Sequence, residues 1–402
     1  MAIVSSGALF DVLRQYCLLS PQHLAEALSL AQGRFADVRA LARMLLQRGW
    51  FTVYQINQLL AGHGKHLILG PYHILDRLGK GGQSEVYKAR HAEFEWTVAL
   101  KVIRSDYLST AEAAAQFIQE MEAMAELEHP NIVGFWDTDK ADGAYYCAME
   151  FIDGTDLGKV VRLTGCLPPA LACDCVRQAA LGLQHAHEHN LVHRDIKPVN
   201  LFLTQPAAPP SAPHLFSGQL APAPSLPLIK ILDWGLASLR LPQCKEIAVE
   251  NKHLCHNVVG TADYLSPEQA INPTTVDIRG DIYSLGCTLY YLLSGQVPFN
   301  GTTAMQKILQ HQKAEPPAVE SYNPDVHPAL AALVRRMMAK KPEDRFQTPA
   351  AVALALTPFC RGSECATPAP RRQAHPRPDR LPDDTPMLSA TLGAGSRVVS
   401  GR

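Results

Sequence analysis

His193-Arg194-Asp195-Ile196-Lys197-Pro198-Val199-Asn200 sets a carboxylate, a lysine and an amide at offsets of two and five residues. That spacing suits taking a proton from a hydroxyl while a metal-bound phosphate is held beside it. In this reading Asp195 accepts the proton, Lys197 neutralises charge on the moving phosphoryl group, and Asn200 ligates Mg²⁺. A His-Arg-Asp triplet also arises by chance, so the reading depends on its companions appearing in order.

Upstream, Leu78-Gly79-Lys80-Gly81-Gly82-Gln83-Ser84-Glu85-Val86 is a glycine-rich turn. Glycines let backbone N–H groups approach phosphate oxygens with no Cβ in the way, although plain hairpins use such turns too. Thr97-Val98-Ala99-Leu100-Lys101-Val102-Ile103 reads as a buried β-branched strand interrupted by one lysine. A cation on a core strand is costly unless paired, so Lys101 implies a partner. Gln116 to Glu126 has helical character and offers Glu120, Glu122 and Glu126. Further on stand Ile231-Leu232-Asp233-Trp234-Gly235-Leu236-Ala237, Gly260-Thr261-Ala262-Asp263-Tyr264-Leu265-Ser266-Pro267-Glu268, Asp277-Ile278-Arg279-Gly280-Asp281, and Lys341-Pro342-Glu343-Asp344-Arg345-Phe346.

In this order the segments resemble the bacterial eukaryotic-like (Hanks-type) serine/threonine protein kinases. The resemblance implies an α+β, bilobal protein kinase fold. Its small lobe, residues 72–150, would be a five-stranded antiparallel sheet plus helix C, and its large lobe, 151–359, mainly helical. It implies ATP and Mg²⁺ as cofactors, with Mn²⁺ as an alternative ion, and protein substrates bearing Ser or Thr. Asp195, Lys197, Lys101 and Glu120 become the catalytic set, with Glu120 as the helix C partner of Lys101. Asn200 and Asp233 become the metal ligands. Gly79, Lys80, Gly81, Gly82, Val86, Ala99, Lys101 and Phe202 would surround the nucleotide. Glu150 and Ile152 would offer hinge backbone to adenine, Asp156 would bond the ribose, and Met149 would guard the back pocket. Trp234 replaces the usual phenylalanine and is expected to stack with Met124, Phe135 and His193. Asp281 would anchor the catalytic-loop backbone, and Arg345 would pair with Glu268. Two other readings stay open: a pseudokinase scaffold, and a small-molecule phosphotransferase of similar fold.

The flanks are less ordinary. Residues 1–66 read as a separate piece of three or four short helices, like the leaders of planctomycete-type kinases. Ser20-Pro21 starts one helix, Val38, Leu41, Leu45 and Leu46 line another before Gly49, and Thr52-Val53-Tyr54-Gln55 is a capping box. A brace against the small lobe is favoured over a docking or autoregulatory module. Asn200 and Asp233 lie 33 positions apart, far beyond the family pattern. The excess, 205–227, is rich in Pro, Ala and Ser and reads as a spacer, with a polyproline docking ligand as the second reading. Residues 360–402 form a Pro- and Arg-rich tail, expected to be disordered.

The 402 residues are 47% hydrophobic and 19% charged, with a net charge of −1, so bulk charge points to neither nucleic acid nor a membrane surface. No apolar run is long enough for a membrane span, and the start lacks a basic signal region. The ten cysteines are scattered, which suits a cytoplasmic protein with free thiols. Cys244, His253, Cys255 and His256 fit no standard zinc spacing and read as loop residues. Val199 sits where basic-directed kinases often carry glutamate, so no strong arginine requirement is expected in substrates. Between Gly235 and Gly260 the hydroxyl side chain available for phosphorylation is Ser238, and Thr261 is expected to contact Asp195 and Lys197. Glu246 or Glu250 is therefore expected to stand in as the anion for Arg194.

Overall fold

The structure is a computed structural model that describes residues 5–31, 37–82, 84–104, 107–108, 110–204, 227–234, 261–272 and 275–360. The readings placed on 205–226, on Ser238, Cys244, Glu246, Glu250, His253, Cys255 and His256, on the Thr261 side chain and on the tail beyond Cys360, which itself ends the last helix, lie outside the described residues.

Four helices open the chain: α1 (Ser6–Gln15), α2 (Pro21–Ala31), α3 (Val38–Gln47) and α4 (Val53–Leu60). Each start follows from a local cap. Ser20 Oγ accepts from the His23 N–H at 3.2 Å, Asp37 accepts from Arg39, and Thr52 and Gln55 close a capping box. Gly49, at φ +67°, ends the α3 turn in a conformation that L residues avoid. Leu9, Leu13, Leu41, Leu45, Leu59 and Leu67 bury one face of this leader. They join Ile74, Ala89, Val98, Leu100, Tyr146 and Ala148 of the small lobe in a single apolar cluster. The leader is therefore no separate piece, because its apolar face is completed by the back of the small-lobe sheet.

Among the described residues that sheet has six strands, in the order β1-β2-β3-β4-β6-β5, all antiparallel. They are β1 (Ile68–Leu69), β2 (Tyr72–Lys80), β3 (Ser84–His91), β4 (Thr97–Ile103), β5 (Phe135–Ala141) and β6 (Ala144–Glu150). The sixth strand, absent from the five expected, is the two-residue β1, where the leader's last turn runs alongside Tyr72 and His73. Helix α5 (Ala111–Ala125) is capped by Thr110 and buries Phe117, Met121 and Met124 against the sheet.

The large lobe begins with β7 (Gly154–Asp156), α6 (Leu157–Thr164) and the long α7 (Pro169–Glu188). Strands β8 (Leu201–Thr204) and β9 (Ile229–Ile231) pair antiparallel, so the hairpin forms despite the long segment between them. Loop length is a weak entropic penalty, about 0.6 kcal/mol per doubling. Helices α8 (Pro267–Ile271), α9 (Ile278–Ser294), α10 (Ala304–Lys313), α11 (Pro328–Met337) and α12 (Pro349–Cys360) follow. Helix α9 is buried nearly all round, with Asp281, Ser284 and Thr288 as its enclosed polar groups. The lobes are tied by main-chain bonds from Val133 N–H to Ile231 O and from Ile231 N–H to Asn131 O, at 3.1 and 2.9 Å.

His311 of α10 is buried against Phe299, its Nδ1 2.8 Å from the Tyr283 hydroxyl. Burial, reinforced by the nearby Lys340 ammonium, pushes its pKa down to about 4. The folded state thus holds the neutral ring while the unfolded chain takes a proton below about pH 6.5. The stability this group contributes is complete above that pH and is lost as pH falls toward 4. A His311→Gln variant should therefore melt below the unaltered chain at pH 7.5, with the gap narrowing at pH 6 and 5. Melting curves with a constant gap across that range would contradict the assignment.

Candidate active site

The catalytic loop hangs from one buried carboxylate. Asp281 accepts the His193 N–H on Oδ2 at 2.7 Å and the Arg194 N–H on Oδ1 at 2.8 Å. Burial pushes its carboxyl up to about 7, against the two N–H bonds that favour the charged form. Arg194 sits at φ +64°, a conformation costly for a long side chain, and those bonds hold it there. His193 is buried. Its Nδ1 accepts the Asp195 N–H at 3.2 Å while Nε2 lies 2.8 Å from the Leu232 carbonyl. This pattern fixes the neutral tautomer protonated on Nε2, and burial lowers the pKa in the same sense.

Asp195 is bracketed by its neighbours. Lys197 Nζ donates to both of its carboxylate oxygens, at 3.0 and 2.8 Å. Asn200, also buried, donates its amide to the Asp195 carbonyl at 2.8 Å, so its side-chain oxygen is the atom it can present to a cation. Leu232 N–H bonds the Asn200 carbonyl at 2.8 Å, which brings Asp233 beside the loop. Asp233, at φ +63°, lies 2.6 Å from Lys101 Nζ. Its carboxyl is held below the ordinary range, first by the Lys101 charge and then by the hydrogen bond to it. The lysine side chain is only 5% exposed and the aspartate 47%, so the pair forms at the inner wall of an open cleft. Carboxylate and amide oxygens are hard donors of the kind Mg²⁺ takes, and Asp233 and Asn200 fit that ion.

Above the cleft, β2 and β3 form the glycine hairpin, with Gly79 opposite Val86 and Lys80 opposite Glu85. Gly81 N–H closes the turn on the Ser84 carbonyl at 2.8 Å, and Gly82 stands in the same turn. A Cβ at Gly79 would meet nothing within 4 Å, which leaves room for a phosphate over the strand. Ala99 and Met149 face each other across β4 and β6, and Lys101 faces Val86 across β4 and β3. Phe202 lies on β8 opposite Asp156 of β7. Asp156 Oδ1 caps α6 by accepting the Lys159 N–H at 2.7 Å. At the hinge, Glu150 N–H bonds the Gly134 carbonyl at 2.8 Å, and Ile152 is partly buried against the main core.

Trp234 is almost completely buried. Its ring centroid lies 4.7 Å from that of His193, and Nε1 donates to the Ile231 carbonyl at 3.3 Å. Met124 and Phe135 belong to the same core. Met121, together with Phe135 and Met149, shares the small void beside Trp234 that Lys101, Cys147 and Asp233 close.

A protein kinase domain model matches residues 72–356. The chain belongs to the protein kinase family. It is 34% identical over 290 residues to serine/threonine-protein kinase PknB of Mycolicibacterium smegmatis, covering 70% of this chain and 42% of that one. It is 33% identical to PrkC of Bacillus subtilis, with 70% and 39% covered. The chain thus spans less than half the length of these curated relatives. Among solved structures, the Mycobacterium tuberculosis PknI kinase domain is similar with a TM-score of 0.52 and 26% identity, over 73% of this chain and 97% of that one.

Against the kinase pattern, one expected contact is absent. Lys101 pairs with Asp233, and no ion pair joins it to Glu120 among the described residues. Glu120 is on α5 as expected, but its Oε1 accepts from Gln116 one turn earlier at 3.0 Å. The Asp233 carboxylate at 2.6 Å supplies the partner that burial of Lys101 demands. Two residues escaped the sequence reading. Lys230 Nζ bonds Glu150 Oε2 at 2.7 Å and the Ile132 carbonyl at 3.2 Å, fastening the hinge to β9. The signal was available, because Lys230 interrupts an apolar strand as Lys101 does. Gln269 takes the Ser266 N–H on Oε1 at 3.0 Å and gives Nε2 to the Arg194 carbonyl at 2.8 Å. Ser266-Pro267-Glu268-Gln269 is a legible capping box, but its second bond to the catalytic loop was not.

Among the described residues no group of three or more His, Cys, Asp or Glu side chains is placed to hold a metal, and no helix is long and apolar enough to cross a membrane.

Proposed function

We propose that this chain transfers the γ-phosphoryl group of ATP to Ser or Thr hydroxyls of protein substrates. The observation that carries the reading is the Asp195 carboxylate, held in a fixed pose by Lys197, with its carbonyl bonded by Asn200 and the two residues before it hung on Asp281. Asp195 takes the proton of the attacking hydroxyl. Lys197 offsets charge on the transferring group, and Lys101 orients the phosphates from the opposite wall. Bound Mg²⁺, or Mn²⁺ in its place, would supply charge neutralisation between the phosphates, held by Asp233 and Asn200. Such catalysis is mostly positioning, because the transition state is loose. The names of the relatives support serine and threonine as acceptors, as does Lys197 two residues after Asp195. We infer a cytoplasmic setting from the scattered cysteines, those among the described residues being free.

Labelled ATP, Mg²⁺ and a generic protein substrate should give phosphoserine and phosphothreonine on acid hydrolysis. A degenerate peptide library should show no strong demand for arginine two or three residues before the acceptor. Phosphotyrosine as the main product would overturn the acceptor assignment, and no transfer at all would favour a scaffold. Mass spectrometry of active protein tests the loop: stoichiometric phosphate on Ser238 or Thr261, with activity lost on phosphatase treatment, would exclude a glutamate as the anion for Arg194.

A further inference from the structure

We propose that Thr52 and Gln55 of the leader are positioning residues for the nucleotide loop, so that α4 sets the affinity of the cleft for ATP; this rests on the kinase reading. The matched family segment begins at residue 72, so both residues lie outside it.

Strand β2 carries two irregularities against β3. Ile74 faces Ala89 and Asp76 faces Lys88, which leaves Leu75 as an extra residue. Arg77 faces Tyr87 and Gly79 faces Val86, which leaves Leu78 as a second. An extra residue takes backbone groups out of the ladder and bends the strand. At the first bulge the missing partners come from the leader. Gln55 Nε2 donates to the Ile74 carbonyl at 2.8 Å, and Thr52 Oγ1 donates to the Leu75 carbonyl. The same two side chains close the α4 capping box, with Gln55 Oε1 accepting the Thr52 N–H at 2.9 Å and Thr52 Oγ1 accepting the Gln55 N–H at 3.2 Å. Each polar atom of the clamp is therefore used, and Gln55 is buried.

The consequence runs along the strand. Every pairing beyond Leu75 depends on keeping that extra residue in place, since a slip of one position turns side chains to the opposite face. Those pairings set Gly79 over Val86, and Val86 opposite Lys101. A second link reaches the loop tip. The Tyr54 ring lies 6.4 Å from that of Tyr87, the Tyr87 hydroxyl donates to Glu85, and Glu85 pairs with Lys80 at 2.9 Å. Helix α4 thus grips the strand before the loop and reaches the ion pair at its rim only through Tyr87.

The test uses the full chain with Mg²⁺ and a fluorescent ATP analogue, read as a dissociation constant beside a melting temperature. The double variant Thr52→Val/Gln55→Leu should bind about five- to tenfold more weakly, the loss expected when buried carbonyls lose their donors. The isosteric single variant Thr52→Val should show part of that loss, and Thr52→Ser should restore binding. Leu13→Val, buried in the leader and outside the clamp, should lower the melting temperature without moving the dissociation constant. Unaltered binding by the clamp variants would overturn the proposal, as would an equal loss of binding in Leu13→Val. Failure of the unaltered chain to bind the analogue would instead overturn the kinase reading on which it stands.

Discussion

Asp195→Asn should lower kcat by about a thousandfold while leaving the fold and nucleotide binding intact. A positioned general base contributes about 10²- to 10⁴-fold, and asparagine at this position removes the base and one of the two acceptors of Lys197 Nζ while keeping the other bonds of the loop. Its oxygen still accepts from Lys197 Nζ. Its backbone N–H still meets His193 Nδ1, and its carbonyl still accepts from Asn200. The loop remains hung on Asp281, so the melting temperature should move little. Initial rates with protein substrate, melting curves and analogue titration separate the cases. Equal transfer by both proteins would remove Asp195 from the chemistry. Lost binding or an early melt would mean that the charge holds structure instead.

What could be read in advance, and what could not, follows from the range of each interaction. Asp281 and the Arg345–Glu268 pair were legible through the resemblance of their segments to the kinase pattern, and the structure shows each buried charge with the partner that the resemblance implied. Lys101 was legible as paired, but its partner was not. Glu120 and Asp233 both satisfy the same demand, and the choice depends on where α5 rests against the sheet. Lys230 met the same criterion and was passed over because no motif pointed to it. The six-stranded sheet and the shared core of leader and small lobe rest on a different kind of information. Leu41, Leu45 and Leu59 declare an apolar face, but periodicity does not say what covers it. The β2 bulge was the least accessible of all. A strand and its bulge have the same composition, and only pairing reveals the extra residue.

Replacement of Arg345 by alanine should destabilise the large lobe by about 3–5 kcal/mol, the range for breaking a buried ion pair from one side. The side chain is fully enclosed, and all five of its N–H donors are committed. Nη1 and Nη2 meet the two Glu268 oxygens at 2.6 and 2.8 Å. The remaining donors reach the carbonyls of Ala339, Arg279 and Lys340 at 2.7, 2.8 and 3.0 Å, and the guanidinium lies over the Tyr283 ring. Truncation strands one carboxylate and three carbonyls, in a protein whose whole stability is of order 5–15 kcal/mol. Lysine should not rescue it, since three donors on a point charge cannot reproduce a planar fork. Denaturant unfolding of Arg345→Ala, Arg345→Lys and the double variant Glu268→Ala/Arg345→Ala would measure this, and the double variant should lose less than the two single losses combined. A loss below about 1 kcal/mol, the scale of an exposed pair, would mean that water reaches the site. Activity should fall with stability, because Glu268 lies between Ser266 and Gln269, and Gln269 holds the Arg194 carbonyl. A network far from the nucleotide thereby bears on the pose of Asp195, the next residue along the chain.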